Sequence, residues 1–170
     1  KVTSYTPKDQ VVELFEADKR FDYLWARVRK DFDIITQHNE AYLNWRFFSN
    51  PIEKYRLAAY VENDEIKGYA VFKRYHDEIQ VVDLLMGKAD IEVGEKLFQY
   101  IISLALDSQA HSVSLWLNVV HPFHHALEKM GFMLEGPVTY LVGRVLKSEF
   151  DRSFYDFRRW YFMMSDSDVF

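Results

Sequence analysis

The apolar positions of this chain change period several times, and each change marks an element. "VVELFEA" (Val11 to Ala17) reads as a short strand. Asp18 then suits an N-cap, and Phe21, Leu24, Trp25, Val28 and Phe32 follow at helical spacing, so "KRFDYLWARVRKDF" predicts an amphipathic helix. "NEAYLNWRFFSNP" predicts a second helix, closed by Asn50 and Pro51. Three β-rich runs follow, "YRLAAYVE", "IKGYAVFKRY" and "EIQVVDLLM", parted by the turn-forming "NDE" and "HDE". Together they predict an antiparallel meander.

From Ile91 the period lengthens: Val93, Leu97, Ile101, Leu104 and Ala105 make one face of a long helix reaching about Asp107. "SVSLWLNVV" then alternates, with Val113, Leu115, Leu117 and Val119 on one side. A strand, a helix and a strand predict a right-handed crossover that makes "VVDLLM" and "SVSLWLNVV" parallel neighbours. In "HPFHHALEKMGF", Pro122 fits the first helical position, Phe123, Ala126, Leu127 and Met130 form the buried stripe, and Gly131 fits C′. β-type runs around "VTYLVGRVL" and "RRWYFMM" finish the chain. The fold class is α/β, a mixed central sheet with helices on both faces.

Composition narrows the setting. At 170 residues, 49% hydrophobic and 17% aromatic, the chain can bury a sizeable core as one domain, 1–170. A net charge of −5 and a pI near 5.7 give no basic surface, so neither nucleic acid nor an anionic membrane is expected as a partner. The absence of cysteine excludes disulfides, thiolate nucleophiles and cysteine-based zinc sites. With no signal peptide and no apolar run of bilayer length, the expected location is the cytoplasm. Because the sequence starts at Lys1, the expectation is the C-terminal part of a longer protein, with a preceding domain as a partner.

The order of elements, with "ALEKMGF" closing a short helix after a parallel strand, resembles the GNAT (Gcn5-related) N-acetyltransferase family. The resemblance runs from Val11 to Phe170. It is closer to bacterial GNAT-like proteins with a W-R-[YF]-x-x-N-P signature, here "WRFFSNP" (Trp45 to Pro51), and a final aromatic strand followed by D-S-D, here "WYFMMSDSDV". The resemblance implies a GNAT fold whose two parallel strands splay apart, the first offering its backbone to the pantetheine amides of acetyl-CoA. Leu84, Leu85 and Met86 on that strand, Val93 and Gly94 at the next helix, and Asn118 on the second strand would then line the co-substrate. The implied activity is N-acyl transfer from acetyl-CoA or another acyl-CoA to a small amine, such as an amino sugar of a surface glycan.

Several positions depart from the family pattern. Its [QR]-x-x-G-x-[GA] loop aims backbone N–H groups at the CoA pyrophosphate from a helix start. Here only Gly94 matches; Glu92 holds the first glycine position, Ala89 the Arg/Gln position, and the loop is about two residues short. Asp90 and Glu92 would each stabilise the helix dipole by about 0.3–1 kcal/mol, yet oppose a phosphate about 4 Å away by about 1 to 4 kcal/mol. The loop is therefore either an ordinary acidic first turn, with Gly94 packed close to the sheet, or a weakened cradle. Leu127 stands where many members keep a tyrosine general acid, and leucine has no proton to give.

Five further candidates carry a bland reading beside the chemical one. Asp83, inside an apolar run, is a base for the acceptor amine or a strand-edge acid paired with Arg or Lys. Asn118 binds an acyl or pantetheine group, or caps nearby backbone. Arg46 binds an anionic sugar or carboxylate, while Trp45, Phe47 and Phe48 beside it belong to the core. His121 and His125 have the spacing of a zinc pair but lack an intervening Glu and a third ligand, so a solvated helix start is the expectation and no metal is assigned. Asp166 and Asp168 attract a cationic amine or simply solvate the C-terminus. If Leu127, Ala89 and Glu92 mean lost chemistry, the domain instead binds a ligand or partner without catalysis.

Overall fold

The computed structural model describes residues 9–136, 144–146 and 152–167. In chain order its strands and α-helices are β1 (Asp9–Leu14), α1 (Lys19–Val28), β2 (Ile34–Ile35), α2 (Glu40–Leu43), β3 (Arg56–Glu62), β4 (Glu65–Tyr75), β5 (Glu78–Met86), α3 (Ile91–Asp107), β6 (Ser112–Leu115), α4 (Phe123–Lys129) and β7 (Trp160–Tyr161). A five-stranded sheet runs β1-β3-β4-β5-β6, antiparallel except between β5 and β6. The meander and the parallel crossover through α3 stand as the periodicity predicts. Both turns of the meander are two residues long, Asn63-Asp64 and His76-Asp77. Positive φ at Asn63 (50°) and Asp64 (67°) gives the first the twist that closes a hairpin.

Local chemistry sets the helix starts. Asp18 caps α1 by accepting from Arg20 N–H at 2.9 Å, and Asn39 caps α2 by accepting from Tyr42 N–H at 3.0 Å. One face of the sheet carries α1: Phe21 meets Tyr69 of β4 edge to face at 5.5 Å. The other carries α3, where Gly68 of β4 lets Val93 approach so closely that a Cβ would lie 2.7 Å from it. Gly94 is tighter still, since a Cβ there would stand 2.5 Å from Phe123 of α4 and 2.7 Å from Met86. Its smallness is thus required by helix and sheet packing. Gly131, at φ +93°, ends α4 in the left-handed conformation expected of C′.

Five elements are shorter than the pattern predicts. α1 ends at Val28 and gives way to a single 3-10 turn at Arg29–Asp31. β1 stops at Leu14, leaving Phe15 exposed. The second helix keeps one α-helical turn before Asn44–Phe48 widens into a π-turn, where Asn44 turns back to bond both backbone groups of Ala17. β6 covers Ser112–Leu115 rather than the whole of "SVSLWLNVV". Only Trp160–Tyr161 of "RRWYFMM" is strand, and it pairs with β2 in a separate parallel ribbon. Most of "VTYLVGRVL" and all of Asp168 lie outside the described residues.

Candidate functional site

The sheet comes apart along one edge of β5. On its β4 side the strand is paired from Glu78 to Met86, with a bulge: Phe72 faces Val81 and Val71 faces Asp83, so Val82 is the extra residue. Strict alternation would put Val81 and Asp83 on one face. The bulge instead turns Asp83 to the face of Val71 and Tyr69, beneath α1 and α2. On its other side β5 pairs with β6 only from Glu78 to Val81. Beyond Val81 that edge meets the C-terminal segment: Tyr161 Oη donates to the Leu84 carbonyl, and the turn Met164–Asp166 packs against the strand. Tyr161 is buried, with its ring 4.5 Å from Phe32 and 5.6 Å from His121.

Behind this edge lies a closed polar cluster. Asp83 is fully buried, and its Oδ2 accepts from Tyr69 Oη at 2.8 Å and lies 3.1 Å from His38 Nδ1. Its Oδ1 accepts from Ser165 Oγ at 3.1 Å. A carboxylate only accepts, so Nδ1 carries the proton of the His38 pair, and in the neutral ring Nε2 carries the lone pair. That Nε2 is buried and, among the described residues, has no hydrogen-bond partner. Burial disfavours the imidazolium, but the Asp83 charge and hydrogen bond outweigh it and hold His38 above its ordinary value. Burial also pushes the Tyr42, Tyr69 and Tyr161 hydroxyls up, so all three stay protonated donors. Among the described residues neither Arg nor Lys pairs with Asp83, and the strand-edge reading gives way to a central buried one, because the bulge turns the carboxylate inward.

At the start of α3 the backbone donors are largely engaged. Lys88 N–H donates to Asp31 Oδ2 at 3.0 Å, Asp90 N–H to the Gly87 carbonyl at 2.9 Å, and Ile91 N–H to the Ala89 carbonyl at 2.9 Å. A protein carboxylate therefore takes one of the N–H groups that a phosphate would need. Asp90 folds over Gly87, where a Cβ would lie 2.6 Å from Oδ2, and its carboxylate faces Arg27 at 3.7 Å. A small polar cleft of about 190 Å³, lined by Arg27, Tyr60, Lys67, Asp90 and Glu92 among others, opens beside this turn.

Leu84, Leu85 and Met86 are all buried along β5, while Val93 packs over Gly68 and Gly94 under Phe123. Asn118, past the end of β6, spends its amide on backbone: Nδ2 donates to the Phe157 carbonyl at 2.8 Å and Oδ1 accepts from Val120 N–H at 3.2 Å. Arg46 donates to the Ser165 carbonyl at 3.1 Å and the Ser167 carbonyl at 3.2 Å. Both residues thus hold the C-terminal segment against the sheet. Asp166, exposed, caps its own turn through Met163 N–H. Contrary to a solvated helix start, His121 is buried; its Nδ1 accepts from Phe123 N–H at 3.2 Å, and burial, then the Lys88 charge, lowers its pKa to about 4. His125 lies exposed beside Glu128 at 3.3 Å. The sequence reading missed His38, Tyr69, Ser165 and Tyr161 as one cluster. Its members come from distant parts of the chain, Ser165 bonding Asp83 across 82 residues, and only the buried acid Asp83 hinted at it.

No family model and no curated protein matches this chain. Solved structures do. A point mutant of TTHA1254 from Thermus thermophilus is 22% identical, with a TM-score of 0.52 over 81% of this chain and 98% of its own. Aminoglycoside acetyltransferase HMB0005, from an uncultured soil metagenomic sample, is 16% identical at a TM-score of 0.56, covering 81% of this chain and 99% of its own. Aminoglycoside acetyltransferase meta-AAC0020, also from an uncultured soil metagenomic sample and solved with sisomicin, is 12% identical at 0.55, over 81% and 97%. The chain shares the mixed α/β fold of these acetyltransferases. Among the described residues no helix is long and apolar enough to cross a membrane.

Proposed function

We propose that this protein is an N-acyltransferase of the GNAT fold that takes acetyl-CoA or another acyl-CoA as co-substrate and a small amine, such as an amino sugar, as acceptor. The carrying observation is the β5 edge beyond Val81, where pairing with β6 stops and a side-chain hydroxyl takes the Leu84 carbonyl. An extended amide chain adds to such an edge as a strand would. In this reading a pantetheine amide takes the Leu84 carbonyl in place of Tyr161, the chain runs past Leu85 and Met86, and Val93 and Gly94 mark where it reaches α3. Asp83 lies one residue from that carbonyl, behind the edge. Arg46 and Asn118 act on the reaction by holding the segment that carries Tyr161. The fold shared with two aminoglycoside acetyltransferases supports the amine acceptor. The reading places the protein in the cytoplasm, with neither nucleic acid nor membrane as partner.

Two observations favour a second reading, a non-catalytic domain that binds a ligand or partner. Tyr161 fills the slot, and Asp31 already holds the loop N–H of Lys88. Calorimetric titration with acetyl-CoA separates the two. An acyltransferase whose slot is held by Tyr161 should bind acetyl-CoA, and Tyr161→Ala should tighten binding at least tenfold, a difference of about 1.4 kcal/mol. No heat of binding with either protein would leave the non-catalytic reading standing.

A further inference from the structure

We propose that His38 is the proton acceptor of the transfer and that Asp83 is its positioning residue, a role that rests on the acyltransferase reading. The basic nitrogen that this buried cluster leaves open is on the imidazole: Asp83 accepts from Nδ1 at 3.1 Å, and Nε2, although buried, has no hydrogen-bond partner among the described residues. A polar atom left unpartnered in a protein interior costs stability, so its retention calls for a use. The Tyr161 ring stands edge to face with the imidazole at 6.4 Å, and the Tyr161 hydroxyl holds the β5 edge at Leu84. The ring therefore fills the space between His38 and the edge where the acyl chain would lie. When that ring swings out, the base and the strand edge face one cleft.

The groups around His38 fit this task. Asp83 of β5 orients the ring and favours its protonated form, and Ser165 and Tyr69 hold the carboxylate by its two oxygens. Tyr42 of α2 and Tyr161 of β7 flank the imidazole as neutral hydroxyls, and Asp166 adds a second, more distant negative charge. As the amine nitrogen bonds to the acyl carbon, Nε2 takes the amine proton. The carbon–sulfur bond breaks with its electron pair on sulfur, and the proton then passes to the departing thiolate. No tyrosine at position 127 is needed for that return.

Acetyl-CoA with water as acceptor tests this without knowledge of the amine, because the same base would activate water. Thiol release is followed against pH for the wild type, His38→Gln and Asp83→Asn, with near-UV circular dichroism reporting the fold of each. His38→Gln should lower kcat at least 100-fold, leave KM for acetyl-CoA unchanged and abolish the acid limb of the profile. Asp83→Asn keeps the ring but removes the charge that raises its pKa, so the acid limb should move to lower pH; this variant carries the test if His38→Gln does not fold. Release that survives His38→Gln within twofold, or an acid limb unmoved in Asp83→Asn, overturns the role of His38 alone. No release by the wild type at any pH overturns the role of His38, and no binding of acetyl-CoA by the wild type or Tyr161→Ala overturns the acyltransferase reading and the role with it.

Discussion

Two buried histidines flank the ring of Tyr161, and the protein treats them in opposite ways. His38 stands beside a carboxylate and donates from Nδ1, whereas His121 accepts at Nδ1 from a backbone N–H and lies near the cationic Lys88. The first is pushed up in pKa and the second falls to about 4. Burial alone would lower both. What separates them is the sign of the nearest charge, so one side of the ring is built to hold a proton and the other to refuse one.

The largest way to break this contrast is Asp83→Ala. Removing one partner of a buried pair leaves the imidazole, Tyr69 and Ser165 without their acceptor, and should cost about 3–5 kcal/mol in urea unfolding at pH 7. Acid sharpens it next. His121 binds its proton more weakly folded than unfolded, so its contribution is complete above about pH 6.5 and is lost as pH falls towards 4, by up to about 3 kcal/mol. His121→Leu should flatten that loss. His38 works the other way, its contribution being complete below about pH 6.5 and lost as pH rises through its raised folded value.

Smaller effects belong to the dry face of the sheet and to the ring itself. Gly94→Ala forces a methyl against Phe123 and Met86 and should cost about 1–3 kcal/mol. An unchanged thermal midpoint would show that Phe123 yields freely. Tyr161→Phe loses the bond to the Leu84 carbonyl but keeps the packing on Phe32, and should cost about 0.5–1.5 kcal/mol. A cost near zero in urea unfolding would mean that water replaces the hydroxyl and that the slot is wetter than its burial suggests.

Where apolar spacing reports burial, the sequence was informative. The lengthening of period at Ile91 located α3 and with it the parallel pair, and Gly94 was recognisable as a close-packed position. Alternation could not place the bulge at Val82, because "EIQVVDLLM" is apolar on both faces around it, and its polar residues Gln80 and Asp83, three apart, are too few to show where the phase slips. The facing of Asp83 was therefore hidden. His38 was hidden for another reason: its partners come from β4 and β5, and their own from the C-terminal turn, contacts that no local spacing encodes. Arg46 and Asn118 were found as candidates, but whether such side chains meet a ligand or backbone depends on what the fold brings opposite them.

The ribbon of β2 and β7 carries a consequence for how the slot opens. It consists of two residue pairs, Ile34 with Trp160 and Ile35 with Tyr161, whose strands come from distant parts of the chain. Closing so long a loop for so short a ladder gives little cooperative return, whereas β4 and β5 zip from a two-residue turn. The ribbon should accordingly be a separate unit of local unfolding, detaching while the sheet stays intact. In hydrogen exchange the amides of Trp160 and Tyr161 should lose their protons well ahead of those of β4 and β5. On the proposed acyltransferase reading, access to the Leu84 carbonyl should then follow the fraying of a ribbon, at a rate that can be tuned without touching the sheet.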